Sequence, residues 1–126
     1  MNRPKIAIIV PARNEQGYIG KLIESVINAD FPKDQLLLLI CDGMSDDNTQ
    51  KIVSEYSKKY DFIKLIINHE KTTPYALNLG IKNSEGADIL VTVSAHAEIA
   101  PDFFRKIVQI FDISPEIGCL GGVSEN

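Results

Sequence analysis

The feature that most limits the fold is a set of short, unbroken apolar runs spread along the chain, the longest being Ile6 to Pro11 (IAIIVP) and Leu36 to Cys41 (LLLLIC). A strand with one wet face alternates apolar and polar residues, whereas a strand buried on both faces reads as a continuous run. Lys5 to Pro11, rich in β-branched residues, therefore reads as a central strand of a parallel sheet, and Leu36 to Cys41 as a second. Phe62 to Ile67 and Ile89 to Val93 supply a third and a fourth, and Ile117 to Val123, with Gly121-Gly122 inside it, begins a fifth.

Helical patterns fill the intervals. From Asn14 to about Asn28, Ile19, Leu22, Ile23, Val26 and Ile27 recur at the spacing of one helix face, and Asp30, Phe31 and Pro32 break the pattern. Ser45 to Thr49 is a cluster of capping side chains opening a helix with Ile52, Val53 and Tyr56 inward. Thr73-Pro74 offers an N-cap and a first-turn proline for a helix through about Asn83, ended near Gly86. Ala100-Pro101 starts a helix with Phe104, Ile107, Val108 and Phe111 on one face. Strands alternating with helices imply right-handed crossovers and an α/β three-layer sandwich around a mostly parallel sheet. Residues 1–126 are expected to form a single domain, without internal repeat or linker.

Charge and hydropathy exclude several function classes. With 13 Lys and Arg scattered among 17 Asp and Glu, the net charge is −4, which leaves no electrostatic footprint for nucleic acid. The apolar runs fall far short of the roughly 20 residues needed to cross a bilayer, and no charged segment precedes an apolar leader. The expectation is a chain neither exported nor inserted, in the cytoplasm. Cys41 and Cys119 lie among apolar neighbours and read as buried free thiols in a reducing compartment.

In an open parallel sheet, ligands bind outside the carboxyl ends of the strands. Four polar segments fall there: Pro11-Ala12-Arg13-Asn14-Glu15, Cys41-Asp42-Gly43-Met44-Ser45, Asn68 to Thr73, and Ser94-Ala95-His96-Ala97-Glu98. No G-x-G-x-x-G follows Val10, which argues against a dinucleotide-binding domain, and the PARNE turn lacks the glycine-rich basic loop of a nucleotidyltransferase.

VPARNE, DGMSDDNT, TPYALNLGI, SAHAEIAPDFF and the late GG, in this order and spacing, resemble the family 2 glycosyltransferases over essentially the whole chain, most closely the succinoglycan-type exopolysaccharide enzymes. The resemblance implies the GT-A fold, a Rossmann-like nucleotide-sugar transferase architecture. The chain would be the N-terminal, nucleotide-sugar-binding part of the catalytic domain, inactive by itself and prone to self-association through an unpaired sheet edge. The implied reaction is inverting transfer of a sugar, UDP-linked in the simplest case, to a saccharide or lipid-linked acceptor. The longer protein is then expected in the cytoplasm or on the cytoplasmic face of the membrane.

The resemblance places Pro11 and Ala12 under the nucleotide base, with Arg13 or Glu15 facing base or ribose. The residues alone favour the plainer reading, in which Arg13 and Glu15 begin a solvated helix with the acid suited to its N-terminal dipole. Asp42 would accept from a uracil ring N–H, or else bond its own backbone in an Asp-Gly turn. Lys71, before a proline-started helix, would border the diphosphate, or be an ordinary surface lysine. Where the family holds Mg²⁺ or Mn²⁺ with a DxD or DxH motif, this chain has Ser94, Ala95 and His96. Ser94 would touch the ribose, and His96, with Glu98 nearby, would supply a metal ligand or else be a satisfied polar residue. The missing first acid keeps a second reading open, a nucleotide-sugar-binding domain without catalysis. The general base is expected beyond Asn126; Asp102, Asp112 and Glu116 read as solvated helical acids.

Overall fold

The computed structural model describes residues 4–113 and 119–123. Five strands, β1 (Ile6–Ala12), β2 (Leu36–Asp42), β3 (Ile63–Ile67), β4 (Ile89–Val93) and β5 (Cys119–Val123), alternate with helices α1 (Ile19–Ile27), α2 (Thr49–Lys59), α3 (Thr73–Lys82) and α4 (Phe103–Ile113). The strands form one sheet in the order β3-β2-β1-β4-β5, and every neighbouring pair is parallel. Ile6 faces Leu36 and Ala12 faces Asp42 along the central pair, so these two strands end level with each other. The strand order reverses at β1, where β2 lies on one side and β4 on the other.

The uninterrupted apolar runs are explained by burial on both faces. Ile6, Ile8, Val10, Leu36, Leu38 and Ile40 pack against a layer made of Leu22, Ile23 and Val26 from α1, Val53 from α2, and Phe104, Ile107 and Phe111 from α4. Ala7, Ile9, Leu37, Leu39 and Cys41 face the other way, onto Ala76 of α3 with Leu77 and Leu79 beside it. The result is the three-layer α/β/α sandwich expected from the sequence. No helix among the described residues is long and apolar enough to cross a membrane.

Several boundaries differ from the sequence pattern. The first helix starts at Ile19, five residues after Asn14, because Asn14 takes φ 54° and the amides of Asn14, Glu15 and Gln16 donate to side chains of the segment after β2. Tertiary bonds thus take the donors that a helix start would leave to caps. The cap of α3 is Thr72 and not Thr73, with Pro74 in the first turn. The last helix starts at Phe103, two residues beyond Pro101. Ile117 and Glu116, and the side chains of Asp112 and Cys119, lie outside the described residues.

Gly80 marks the closest approach between α3 and the sheet. A Cβ built there would lie 2.5 to 2.8 Å from three side-chain carbons of Ile9, two of them Cγ1 and Cγ2 next to the branch point. An alanine in mid-helix gains about 1 kcal/mol in propensity, whereas overpacking a core costs about 1–3 kcal/mol. Gly80→Ala is therefore expected to lower stability in urea denaturation, and a smaller side chain at Ile9 in the same variant to restore it. Unchanged stability of Gly80→Ala would contradict this packing.

Candidate functional site

Asp42, the last residue of β2, is a carboxylate at the end of an aliphatic strand and is 0% exposed. Burial at that depth is tolerable only with a full set of donors. Asp42 Oδ2 accepts from the Ser45 amide at 2.9 Å and from Gln50 Nε2 at 2.7 Å, while Oδ1 accepts from Ser45 Oγ at 2.5 Å. The Ser45 hydroxyl in turn accepts from the Asn14 amide at 2.8 Å. A second relay runs parallel to it: Thr49 Oγ1 donates to Asp47 Oδ1 at 2.5 Å and accepts from the Glu15 amide at 2.8 Å. Burial works against the charge on Asp47, but the bonds from Thr49 and Gln16 outweigh it and hold that carboxyl below its usual value.

Two Asp–hydroxyl–amide relays therefore join the segment after β1 to the segment after β2. Asn14 Oδ1 accepts from the Asp46 amide at 2.7 Å, and Gln16 Oε1 accepts from the Asn48 amide at 3.1 Å. Arg13 adds a pair with Asp46 at 3.8 Å, which at its exposure contributes little. Glu15 is fixed at its backbone, and its carboxylate accepts from His96 Nε2 at 2.7 Å. Because an ionised carboxylate only accepts, Nε2 carries the proton in this arrangement. The ring of Tyr18 meets His96 edge-on at 4.6 Å, and the Ile99 amide donates to Ser25 Oγ of α1, which holds the segment after β4 in place.

A cleft of about 220 Å³ opens at the carboxyl ends of β1, β2 and β3. Five of the eight residues singled out from the sequence line it: Pro11, Ala12, Arg13, Glu15 and Lys71. The cleft is smaller than the roughly 300 Å³ of a complete small-molecule site, so a ligand the size of a nucleotide sugar would extend beyond it. Cys41 lies at its floor, where burial pushes the thiol up to about 11 and keeps it protonated at neutral pH. Larger hollows, of about 500 and 630 Å³, lie elsewhere, beside Tyr60 and Phe62 and beside Phe31 and Arg105.

Asp42, Ser94 and His96 are not on the cleft wall. Asp42 sits wholly buried behind it, both carboxylate oxygens accepting from Ser45 and Oδ2 also from Gln50. Ser94 is exposed, and its Oγ accepts from the His96 amide at 3.2 Å in a turn closed by Ala97 N to Ser94 O. His96 pairs with Glu15. Gly43, Asn68 and Thr72, which the sequence placed in the polar segments at strand ends without singling them out as site residues, also line the cleft, and Gln50 had no signal of its own. The Ser45/Thr49 spacing of four, read only as capping, was the available signal for the relays.

His96 and Glu15 offer one nitrogen and one oxygen, and among the described residues no group of three or more His, Cys, Asp or Glu comes together to hold a cation. Mg²⁺ and Mn²⁺ prefer several oxygen ligands. The described side chains therefore do not by themselves make up a site for a divalent cation.

A family model described as glycosyl transferase family 2 matches residues 7–125. A dolichyl N-acetyl-alpha-D-glucosaminyl phosphate 3-beta-D-2,3-diacetamido-2,3-dideoxy-beta-D-glucuronosyltransferase of Methanococcus voltae is 36% identical over 94% of the chain, which spans 38% of that relative's length. Among solved structures, S. aureus TarS 1-349 in complex with UDP-GlcNAc superposes with a TM-score of 0.75 at 25% identity, over 86% of this chain and 31% of that one. A mannosyltransferase from Pyrobaculum calidifontis in complex with GDP-Man and Mn²⁺ gives 0.77 at 25% identity, over 86% and 32%. These neighbours agree with the α/β architecture and the parallel sheet described above.

The relay through Thr49 is open to direct test. Thr49→Val keeps the shape but leaves the part-buried Glu15 amide without its acceptor, and an unsatisfied donor costs up to about 1–3 kcal/mol. Urea denaturation is expected to show a loss in that range; no loss would mean that the hydroxyl does not join the two segments.

Proposed function

The chain belongs to glycosyl transferase family 2, and we propose that it forms the donor half of an enzyme transferring a sugar from a nucleotide diphosphate, in the simplest case UDP, to a hydroxyl acceptor. The observation that carries this reading is the cleft itself. Residues remote in sequence, among them Pro11, Arg13, Glu15, Gly43, Asn68 and Lys71, converge at the carboxyl ends of parallel strands, and the first turn of α3 opens onto the cleft. A helix N-terminus beside Lys71 suits a diphosphate.

Within the proposal, Pro11, Ala12, Arg13 and Glu15 border the base and ribose, Ser94 touches the ribose, and Lys71 borders the diphosphate. Asp42 is assigned to the base. The Gln50 amide now donates to Asp42 Oδ2, so a ring N–H would exchange one N–H donor for another with little change in the number of hydrogen bonds. A divalent ion would arrive with the donor, held mainly by phosphate oxygens, and His96 would reach it only by giving up Glu15. The acceptor hydroxyl would attack the anomeric carbon opposite the diphosphate, with inversion. No general base is assigned within the chain.

The acceptor is proposed to be a saccharide or lipid-linked saccharide in glycan synthesis, the succinoglycan-type setting being one such case. A cytoplasmic location, or the cytoplasmic face of a membrane, suits such donors. Self-association through the edge strands β3 and β5 belongs to the same proposal. Ser94 in place of an acid, together with the absence of a three-ligand cluster among the described residues, favours a second reading, in which the domain binds a nucleotide sugar without catalysis.

Calorimetric titration of UDP, with and without Mn²⁺, tests the donor assignment. Binding is expected, abolished by Asp42→Ala, and strengthened by Mn²⁺ in a manner that His96→Ala removes. Metal-independent binding, lost only in Asp42→Ala, would favour the second reading; no binding under either condition would contradict a donor site in this chain.

A further inference from the structure

The segment after β3 is held by a residue that makes no use of solvent. Asn68 is 2% exposed, and both groups of its side chain are spent on its own loop. Its Oδ1 accepts from the Glu70 amide at 3.2 Å, and its Nδ2 donates to the Thr72 carbonyl at 2.8 Å. Its backbone amide donates to the Asp42 carbonyl at 2.7 Å, and its own carbonyl accepts from the Lys71 amide at 3.2 Å. Residues 68–72 are thereby closed into a tight loop anchored to the end of β2.

The consequence falls on Lys71. Its φ is 65°, in the left-handed region that a lysine adopts only when its surroundings impose it. Gly43 packs against it: a Cβ there would lie at ordinary contact distance, 3.4 Å, from both Lys71 Cα and Lys71 O. Lys71 itself is exposed, lines the cleft, and has no carboxylate partner among the described residues. Thr72, whose carbonyl the Asn68 amide holds, is the cap of α3. One buried amide thus sets both the unpaired ammonium and the start of the helix that faces the cleft.

We propose that Asn68 is a positioning residue that presents Lys71 and the first turn of α3 to the diphosphate of the donor. The inference rests on the donor-site reading and adds to it the residue that determines how tightly the diphosphate is held relative to the nucleoside. Asn68 acts through the loop and touches no ligand itself.

The test compares UDP with uridine, each titrated into the chain and followed by amide chemical shifts, because a general loss of structure weakens both ligands whereas a positioning defect weakens one. Asn68→Ala is expected to raise the Kd for UDP about tenfold and to leave that for uridine within about twofold. Lys71→Gly, which accepts the left-handed backbone but lacks the ammonium, is expected to show the same selective loss, and the double variant to add little to it. Asn68→Asp keeps the acceptor for Glu70 and loses the donor to Thr72, so it is expected to fall between; it decides the matter where Asn68→Ala does not fold. Equal weakening of UDP and uridine, or no effect of either substitution, would overturn the inference while leaving the donor site standing. An unsubstituted chain that binds neither ligand would overturn the donor site, and the inference with it.

Discussion

The organisation of this end of the molecule depends on one buried carboxylate. Asp42 closes a strand made otherwise of leucine, isoleucine and cysteine, and at 0% exposure it must be given donors by the chain itself. Ser45 and Gln50 meet that requirement. Once the Ser45 hydroxyl has turned its proton towards Asp42, its lone pairs are free for the Asn14 amide, and the segment after β1 is drawn across the end of β2. The parallel relay through Asp47 and Thr49 fixes the next amide, Glu15. The position of Glu15 then decides where His96 rests. A cost imposed in the core is thus converted into the shape of the rim.

The parallel sheet explains why that rim carries the polar chemistry. Strands running the same way place all their carboxyl ends on one edge, and β1 and β2 are neighbours that end level with each other, so the segments that follow them meet there. The backbone deviates from ordinary geometry mainly in the same region. Of the four non-glycine residues with positive φ among the described residues, Asn14, Met44 and Lys71 lie in the segments following β1, β2 and β3, and Glu85 lies elsewhere. Strain of this kind persists only where surrounding bonds impose it, and for Asn14 and Lys71 those bonds come from the relays and from Asn68.

The elements themselves were legible in the sequence because their signals are local. Ile89 to Val93 is a strand with the bounds expected from its apolar run, and Phe104, Ile107 and Phe111 are buried together on one face of their helix. The start of α1 was not legible, since the amides of residues 14–16 find acceptors some 30 residues away and not in their own helix. In the site, the residues of the PARNE turn and Lys71 were recognisable as polar groups at strand ends, and they line one cleft. The burial of Asp42, the pairing of His96 with Glu15 and the work of Asn68 were hidden for a common reason. Each depends on burial and on how the segments pack together, and a single sequence does not state that.

The central claim is that a nucleotide binds at the cleft formed by the segments after β1, β2 and β3. A crystal structure of the chain soaked with UDP tests it most directly. The account predicts the uracil and ribose against Pro11 to Glu15 and the diphosphate beside Lys71 and the first turn of α3. UDP lodged instead in the hollow beside Tyr60 and Phe62, with the cleft left empty, would contradict it.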